Sequence, residues 1–436
     1  MFNKLIRGGQ ADKELSVSRL PRLLLQLHAL TDNPMSIIVT GNVTIGASLE
    51  QEIIGDPEVL LYYVSYTSKS RARLGAISGV KGSNSSSDIS FTNNLVGDID
   101  APNINADDGG ITEVTCHKHV GDDTTLLVSI PEMLSGSSLN NWYDTSSYSK
   151  LTTDTAYRAV LKAAPYSAYL GRWFYLPDAA TGKIAVIDTN SNFMQVYQTE
   201  VPSGFNTAYS YMCMDMKVVN SYLYVLHTQN VSTWTYGVSY VSRYRINPRS
   251  GNLVYMSSVE LGCLGGCKMC IHDNKIYVGC AGRNRDVASS DNHGVVMIDL
   301  DNFTTDTMYA IPPRYNVVDM HITDDGTLYV LSGLITTLGR YENCWTGLTI
   351  SRKLPEESEL VIKYLGSDTE PVLYTINPRL YVEGRNKRLW LFRGRQIYLW
   401  VNENSMSSDT TTADKSYEAV TIGGTLTSSV IDILPV

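Results

Sequence analysis

Charge is the first thing this chain has little of: 18% of its 436 residues are Asp, Glu, Lys or Arg, with a net charge of −9. Wrapping a phosphate backbone demands clustered Lys and Arg, so a nucleic-acid binder of that kind is excluded. Long hydrophobic runs are missing too, and without some eighteen consecutive apolar residues no helix spans a bilayer. The opening segment carries Lys4 and Arg7, but no continuous apolar stretch precedes Asp12, Lys13 and Glu14. It does not read as a secretory signal, so synthesis in a cytoplasm is expected. Cysteine is sparse and odd in number, seven with no paired spacing, which argues against a disulfide framework and for buried free thiols. The G-x-S-x-G elbow, the Walker loop, the dinucleotide fingerprint and H-E-x-x-H are all absent. The sequence therefore assigns no catalytic, cofactor-binding or metal-binding residue, and no cofactor is expected.

Tyrosine is what the chain has in excess, 28 residues against 7 Phe. An apolar body with a polar tip suits half-buried strands and wet interfaces. Five of the tyrosines mark a repeat: Trp173-Phe174-Tyr175-Leu176, Leu223-Tyr224-Val225-Leu226, Ile276-Tyr277-Val278-Gly279, Leu328-Tyr329-Val330-Leu331 and Leu380-Tyr381-Val382-Glu383. A period of about 50 residues built on strands points to blades of a β-propeller. Such a ring also explains how so long a chain avoids splitting into globular domains, because each blade packs only on its neighbours.

Each unit repeats more than its tyrosine run. An apolar strand precedes the run at Met214 to Val219, Met269 to Ile271, Val317 to Ile322 and Val372 to Ile376, joined to it by turns such as Asp273-Asn274 and Asp324-Asp325-Gly326. A third strand follows at Ile184 to Asp188, Ser242 to Ile246, Val295 to Asp299, Gly347 to Ile350 and Ile397 to Trp400. A fourth is expected at Met194 to Tyr197, Leu253 to Met256, Thr307 to Ala310 and Leu360 to Lys363. Inner strands sandwiched between blades explain runs that are apolar on both faces.

The rest is less regular. An N-terminal appendage over 1–55 carries an amphipathic helix at about 19–30, with Leu20, Leu23, Leu24, Leu27 and Leu30 on one face and Ser18 as its cap. The propeller is placed at 56–406, with regular blades from about 165, and a closing strand or tail at 407–436. Val59 to Val64 and Thr125 to Ile130 read as strands of two early blades, separated by polar loops at Gly82 to Asp88 and Asp98 to Gly110; Ser135 to Thr155 reads as a further connection. Counting both early strands gives seven four-stranded blades; if they form a separate β domain, there are five or six. Ala419 to Ile422 or Ser428 to Ile433 is expected to close the ring with the other terminus, or else to add a strand to a partner. The fold class is thus all-β, a propeller with a short helical appendage.

The Leu-Tyr-Val run followed by Ala-Val-Ile-Asp or Val-Met-Ile-Asp, with Asn192-Phe193 or Asn302-Phe303 close behind, resembles the YVTN and NHL class of propeller repeats over roughly residues 165–405. That resemblance implies fold and says little of chemistry. In general character, a Ser/Thr/Tyr-rich propeller with an N-terminal appendage also resembles tail, nozzle or neck proteins of tailed bacteriophages. This second resemblance implies a non-enzymatic structural protein of the virion, in a homo-oligomer or other symmetric assembly, with a host surface receptor as a further partner. The alternatives are a receptor- or glycan-binding module, with Trp142, Tyr143, Tyr341 and Trp345 as stacking surfaces, and a propeller enzyme of lactonase or quinoprotein type.

Three groupings invite chemistry. Cys263, Cys267 and Cys270 have the C-x3-C-x2-C spacing of an iron–sulfur site, but the third enters a blade strand, so filling of the interior is the expectation. Cys116, His117 and His119 offer zinc ligands that lack a companion. Asn103, Asn105 and Asp107 start like a calcium loop, yet its twelfth position is Val114.

Overall fold

The computed structural model describes most of residues 59–400 together with 420–421, and side chains chiefly between 167 and 391. The helix expected at 19–30, the rest of the appendage, the calcium-like loop at 103–110, His119 and most of the tail lie outside the described residues.

The fold is all-β, made of antiparallel sheets. Sheet 1 holds β1 (Val59–Ser68), β2 (Arg71–Lys81), β3 (Ser90–Asp100) and β4 (Val114–His117), in the order β3-β2-β1-β4. Sheet 2 is β5 (Thr125–Pro131), β6 (Ser138–Asp144) and β7 (Tyr157–Ala159). Sheet 3 runs β8 (Ala168–Leu170), β9 (Trp173–Pro177), β10 (Ile184–Asp188), β11 (Met194–Gln198). Sheet 4 runs β12 (Ser210–Val219), β13 (Tyr222–Ser232), β14 (Thr235–Ile246), β15 (Leu253–Leu264). Sheet 5 runs β16 (Gly266–His272), β17 (Lys275–Cys280), β18 (Gly294–Asp299), β19 (Thr304–Ala310). Sheet 6 runs β20 (Asn316–Ile322), β21 (Leu328–Leu338), β22 (Tyr341–Lys353), β23 (Val361–Leu365), with β24 (Val372–Leu373) also on β22. Sheet 7 runs β25 (Arg379–Val382), β26 (Leu389–Arg393), β27 (Gln396–Trp400), β28 (Val420–Thr421).

The first strands lie side by side in succession, β8 by β12, β12 by β16, β16 by β20, β20 by β25, and β25 by β4 of sheet 1. That succession makes the sheets packed units, and the apolar runs fill the spaces between them. β9, β10 and most of β18 are buried at every position because both of their faces meet a neighbour. One apolar cluster joins Tyr175, Ile184 and Val186 of sheet 3 to Met216, Leu223, Val225 and Tyr244 of sheet 4. Another joins Val295 and Met297 of sheet 5 to Val317, Met320, Leu328 and Val330 of sheet 6. Packing is close enough that a Cβ on Gly279 would stand 2.5 Å from Val317 Cγ1, so only glycine fits there.

The Ile-Asp motif has a local job. Asp188 and Asp299 end third strands and Asn247 directly follows one; each accepts, through Oδ1, the backbone N–H two residues on, at 3.0, 2.9 and 3.0 Å respectively. This Asx turn reverses the chain toward the fourth strand.

Several expectations are corrected. Leu380-Tyr381-Val382 is the first strand of its sheet, not the second; Leu389–Arg393 is the second, and Val372–Leu373 pairs with β22 and not with the tyrosine run that follows it. The tail strand Val420–Thr421 pairs with β27, so it completes the last sheet and not one begun by the other terminus. The segment 98–100 belongs to β3, and the polar stretch from Ser135 contains β6, whose Asn and Ser residues pair with the apolar β5. Trp142, Tyr143, Tyr341 and Trp345 accordingly lie in strands, not in loops.

Candidate functional site

The first strands place charged side chains where an apolar residue is the rule. Asp215 pairs across to Leu226, Lys268 to Gly279 and Asp319 to Leu331, which is one equivalent position in three successive sheets. A register shift immediately precedes each of them. Arg379 continues the row, because the residue after it, Leu380, holds the place in sheet 7 that Met269 holds in sheet 5. All four are buried, and they alternate acid, base, acid, base. The residues that follow, Met216, Met269, Met320 and Leu380, are buried and apolar. They occupy the opposite face of the same strands.

The carboxylates act across sheets. Asp215 Oδ1 accepts the Met216 N–H and the Lys217 ammonium at 2.8 and 2.9 Å, while Oδ2 accepts the Met269 N–H of sheet 5 at 2.8 Å. Asp319 does the same two sheets further on: Oδ1 accepts Met320 N–H at 3.0 Å, Oδ2 accepts Leu380 N–H of sheet 7 at 2.9 Å, and Lys268 Nζ lies 3.2 Å from Oδ1. Burial pushes the Asp215 carboxyl up, but Lys217, Lys268 and the Met269 N–H outweigh it and hold its pKa below the ordinary carboxylate range. Burial likewise opposes the charge on Lys268, and Asp319 and Asp215 reverse that effect, so its pKa lies above the usual lysine value. The result is a ladder of compensated charges, with the Lys217 side chain its most open member at 19% exposure, against 11% for Lys268.

A second polar chain crosses sheets 3 and 4. His227 is fully buried; its Nε2 lies 3.1 Å from Gly182 O and its Nδ1 3.0 Å from Ser242 Oγ. The Gly182 carbonyl can only accept, so Nε2 carries a hydrogen; with the ring kept neutral by its burial, Nδ1 accepts from the Ser242 hydroxyl. Burial pushes its pKa down to about 4, the Gly182 bond only partly opposing. Ser242 continues through Ser258 to the Tyr255 hydroxyl at 2.9 and 3.0 Å.

The cysteine triplet does not converge. Cys263 is bonded to Cys280, Cys267 Sγ lies 3.2 Å from Gly279 O and from Val317 O, and Cys270 Sγ lies 3.2 Å from Met320 O. The expectation of free thiols throughout is therefore corrected by the Cys263–Cys280 disulfide. Burial pushes the Cys270 thiol up to about 11, so it is no nucleophile at neutral pH. Among the described residues no three His, Cys, Asp or Glu side chains gather around a metal-sized site. Cys116 and His117 lie on β4, which ends at His117.

The charged ladder escaped the sequence reading, which ran Asp215, Lys217 and Asp319 into apolar strands and began the next one just after Lys268. A charge flanked on both sides by strand-forming apolar residues was the available signal, since charged residues are rarely buried unless paired.

No protein-family model matches the chain, and comparison with curated protein sequences finds no match. Similarity appears in three dimensions. A protein from Lactobacillus plantarum superposes with a TM-score of 0.51 at 10% identity, over 80% of this chain and 94% of that one. The periplasmic gluconolactonase PpgL of Pseudomonas aeruginosa gives 0.48 at 12%, over 79% and 92%, and an oligogalacturonate lyase from Vibrio parahaemolyticus gives 0.39 at 10%, over 69% and 81%. The likeness establishes the class, a β-propeller-like all-β fold. The neighbours named for a function are mostly enzymes, lactonases and lyases among them. The expectation of a non-enzymatic phage tail, nozzle or neck subunit is corrected accordingly: these named neighbours are mostly enzymes and none of them is a virion protein, and homo-oligomerisation has no support either.

Proposed function

We propose that the protein is a propeller enzyme that opens a small cyclic ester of the sugar-lactone kind with water. In this reading the seven sheets are seven blades of one ring, residues 56–406 are the catalytic body, and 1–55 is an appendage to it. One observation carries the proposal: a row of ionised side chains is maintained at one level of the first strands, the part of a ring that borders its axis. Burying charges is costly unless they are compensated, and perturbed, compensated charges cluster at functional sites.

The chemistry follows from what the row contains. Lys217 is fixed by Asp215 and keeps partial access to solvent, so its ammonium can stabilise the oxyanion that forms as water adds to a lactone carbonyl. Asp215 serves as its positioning partner, since a carboxyl held below the ordinary range is a poor proton donor. Neither His227, neutral and bonded at both nitrogens, nor Cys270, with its raised pKa, supplies an activated nucleophile. Direct addition of water to an already reactive ester asks least of such a set. Water adds to the carbonyl carbon, the ring C–O bond breaks, and the hydroxy acid leaves as a carboxylate with release of one proton.

The test is proton release measured by pH-stat on aldonolactones, neutral and phosphorylated, against the spontaneous rate. Turnover that Lys217→Met reduces about a hundredfold, with the fold intact by circular dichroism, is the expected result. Rates equal to the spontaneous rate across that panel overturn the proposal.

A further inference from the structure

Two cysteines 17 positions apart meet across the junction of sheets 4 and 5. Cys263 lies near the end of β15 and Cys280 is the last residue of β17; their Cα atoms are 6.3 Å apart and both side chains are buried. The chain passes from sheet 4 to sheet 5 through a single residue, Gly265, at φ 70°, a left-handed conformation that glycine adopts without strain. Polar contacts crowd the same junction. Thr228 Oγ1 donates to Gly266 O at 2.6 Å, the Gly266 N–H donates to Ser239 Oγ at 2.8 Å, and the Ala281 N–H donates to Gly265 O at 2.8 Å. The Asp215 carboxylate reaches the Met269 N–H across this same boundary. The other described thiols lie against backbone carbonyls of their own junctions, Cys213 at 3.6 Å from Lys183 O and Cys267 and Cys270 against sheet 6, so the pairing of Cys263 with Cys280 is specific.

We propose that Cys263–Cys280 is a redox-dependent clamp on the sheet 4–sheet 5 junction, coupled to the Asp215 latch, and that the chain matures where a disulfide donor is at hand. The donor is a low-molecular-weight or protein disulfide. Its S–S bond breaks as the protein's forms, the two thiols of Cys263 and Cys280 give up two protons and two electrons, and the donor leaves as two thiols. Closing a loop of this length restricts the unfolded chain, which is the main source of a disulfide's stabilisation. With the clamp open, the Asp215 latch and its neighbouring hydrogen bonds hold the junction alone. Loss of the latch is then felt more strongly. The reverse also holds, because coupling between two contacts at one junction is reciprocal.

The test uses the full chain purified without reductant. Alkylation in denaturant followed by mass measurement is expected to label two fewer cysteines before reduction than after it, with the bridged peptide holding Cys263 and Cys280. Reduction, verified by mass, is expected to lower the melting temperature by about 5 °C. The Cys263→Ser/Cys280→Ser pair starts at the lower temperature and ignores reductant, whereas Cys267→Ser/Cys270→Ser keeps the response. Asp215→Asn is expected to lower the melting temperature further in reduced than in oxidised protein. Equal labelling before and after reduction, or a melting temperature indifferent to verified reduction, overturns the clamp. An Asp215→Asn shift that is the same in both states overturns its coupling to the latch. Should the serine pair fail to fold, chemical reduction of the native protein still decides.

Discussion

The junction of sheets 4 and 5 and the junction of sheets 6 and 7 use the same device under different conditions. In both, a buried aspartate on a first strand grips the N–H of the next sheet's first strand, Asp215 on Met269 and Asp319 on Leu380. At the earlier junction a disulfide and two short side-chain-to-backbone contacts share the task. At the later one a ring contact between His321 and Tyr381, with centroids 5.4 Å apart, accompanies the latch. The comparison teaches that the aspartate latch is the common element and that the covalent bond is an addition to one copy of it.

The comparison can be broken most forcefully through the apolar layer that both junctions depend on. Leu328, 1% exposed between sheets 5 and 6, is expected to cost about 5 kcal/mol when replaced by Asp, because the charge is stranded without a partner. Urea unfolding measures it, and a cost below 2 kcal/mol would mean that Leu328 does not lie between packed sheets. Next comes Asp319→Asn, expected to cost about 4 kcal/mol, since it removes the nearest countercharge of Lys268 together with the charged acceptor for Leu380 N–H. In oxidised protein Asp215→Asn should cost less, the disulfide sharing the load; equal losses would show that the two junctions do not differ.

A third test runs through pH. His227 bonds sheet 4 to Gly182 of sheet 3 as the neutral ring, with a folded pKa of about 4 against an unfolded value near 6.5. Below pH 6.5 the unfolded state takes up the proton first, so stability falls as pH drops from 6.5 toward 4, by about 3 kcal/mol in all. Asp215, whose pKa is lowered, adds its own loss as pH falls further, below its unfolded value. His227→Gln should flatten the slope above pH 4.5 in urea titrations, and an unchanged slope would assign that loss to other groups. The smallest effect is the control: Asp325→Asn, in the exposed turn of sheet 6, keeps an acceptor for the Thr323 hydroxyl and the Thr327 N–H and should cost under about 0.5 kcal/mol.

How much of this was legible depended on whether partners were close in sequence. In sheets 3 to 6 consecutive strands pair with each other, so a tyrosine run, its turn and the strands after it could be read as one unit. Leu380-Tyr381-Val382 kept the spacing and misled, because strand rank depends on what pairs beside it, and Leu389–Arg393 took the second place. Sheet 1 takes its inner strand, β4, from beyond β3, a long-range choice that no local pattern announces. The ladder and the disulfide were missed for the same reason. Lys268 finds Asp319 and Cys263 finds Cys280 only after neighbouring sheets stack.

The aspartate latches also have a direction in time. Asp215 holds a strand 54 residues further along the chain and Asp319 one 61 residues further, so each carboxylate waits for a segment the ribosome has yet to deliver. At about 5–20 residues per second, a new sheet emerges roughly every 3 to 10 seconds. Each finished sheet then presents an acceptor to the first strand of the next, which biases assembly to proceed in the order of translation. Sheet 7 is completed latest, because its outer strand, Val420–Thr421, follows every other described strand along the chain.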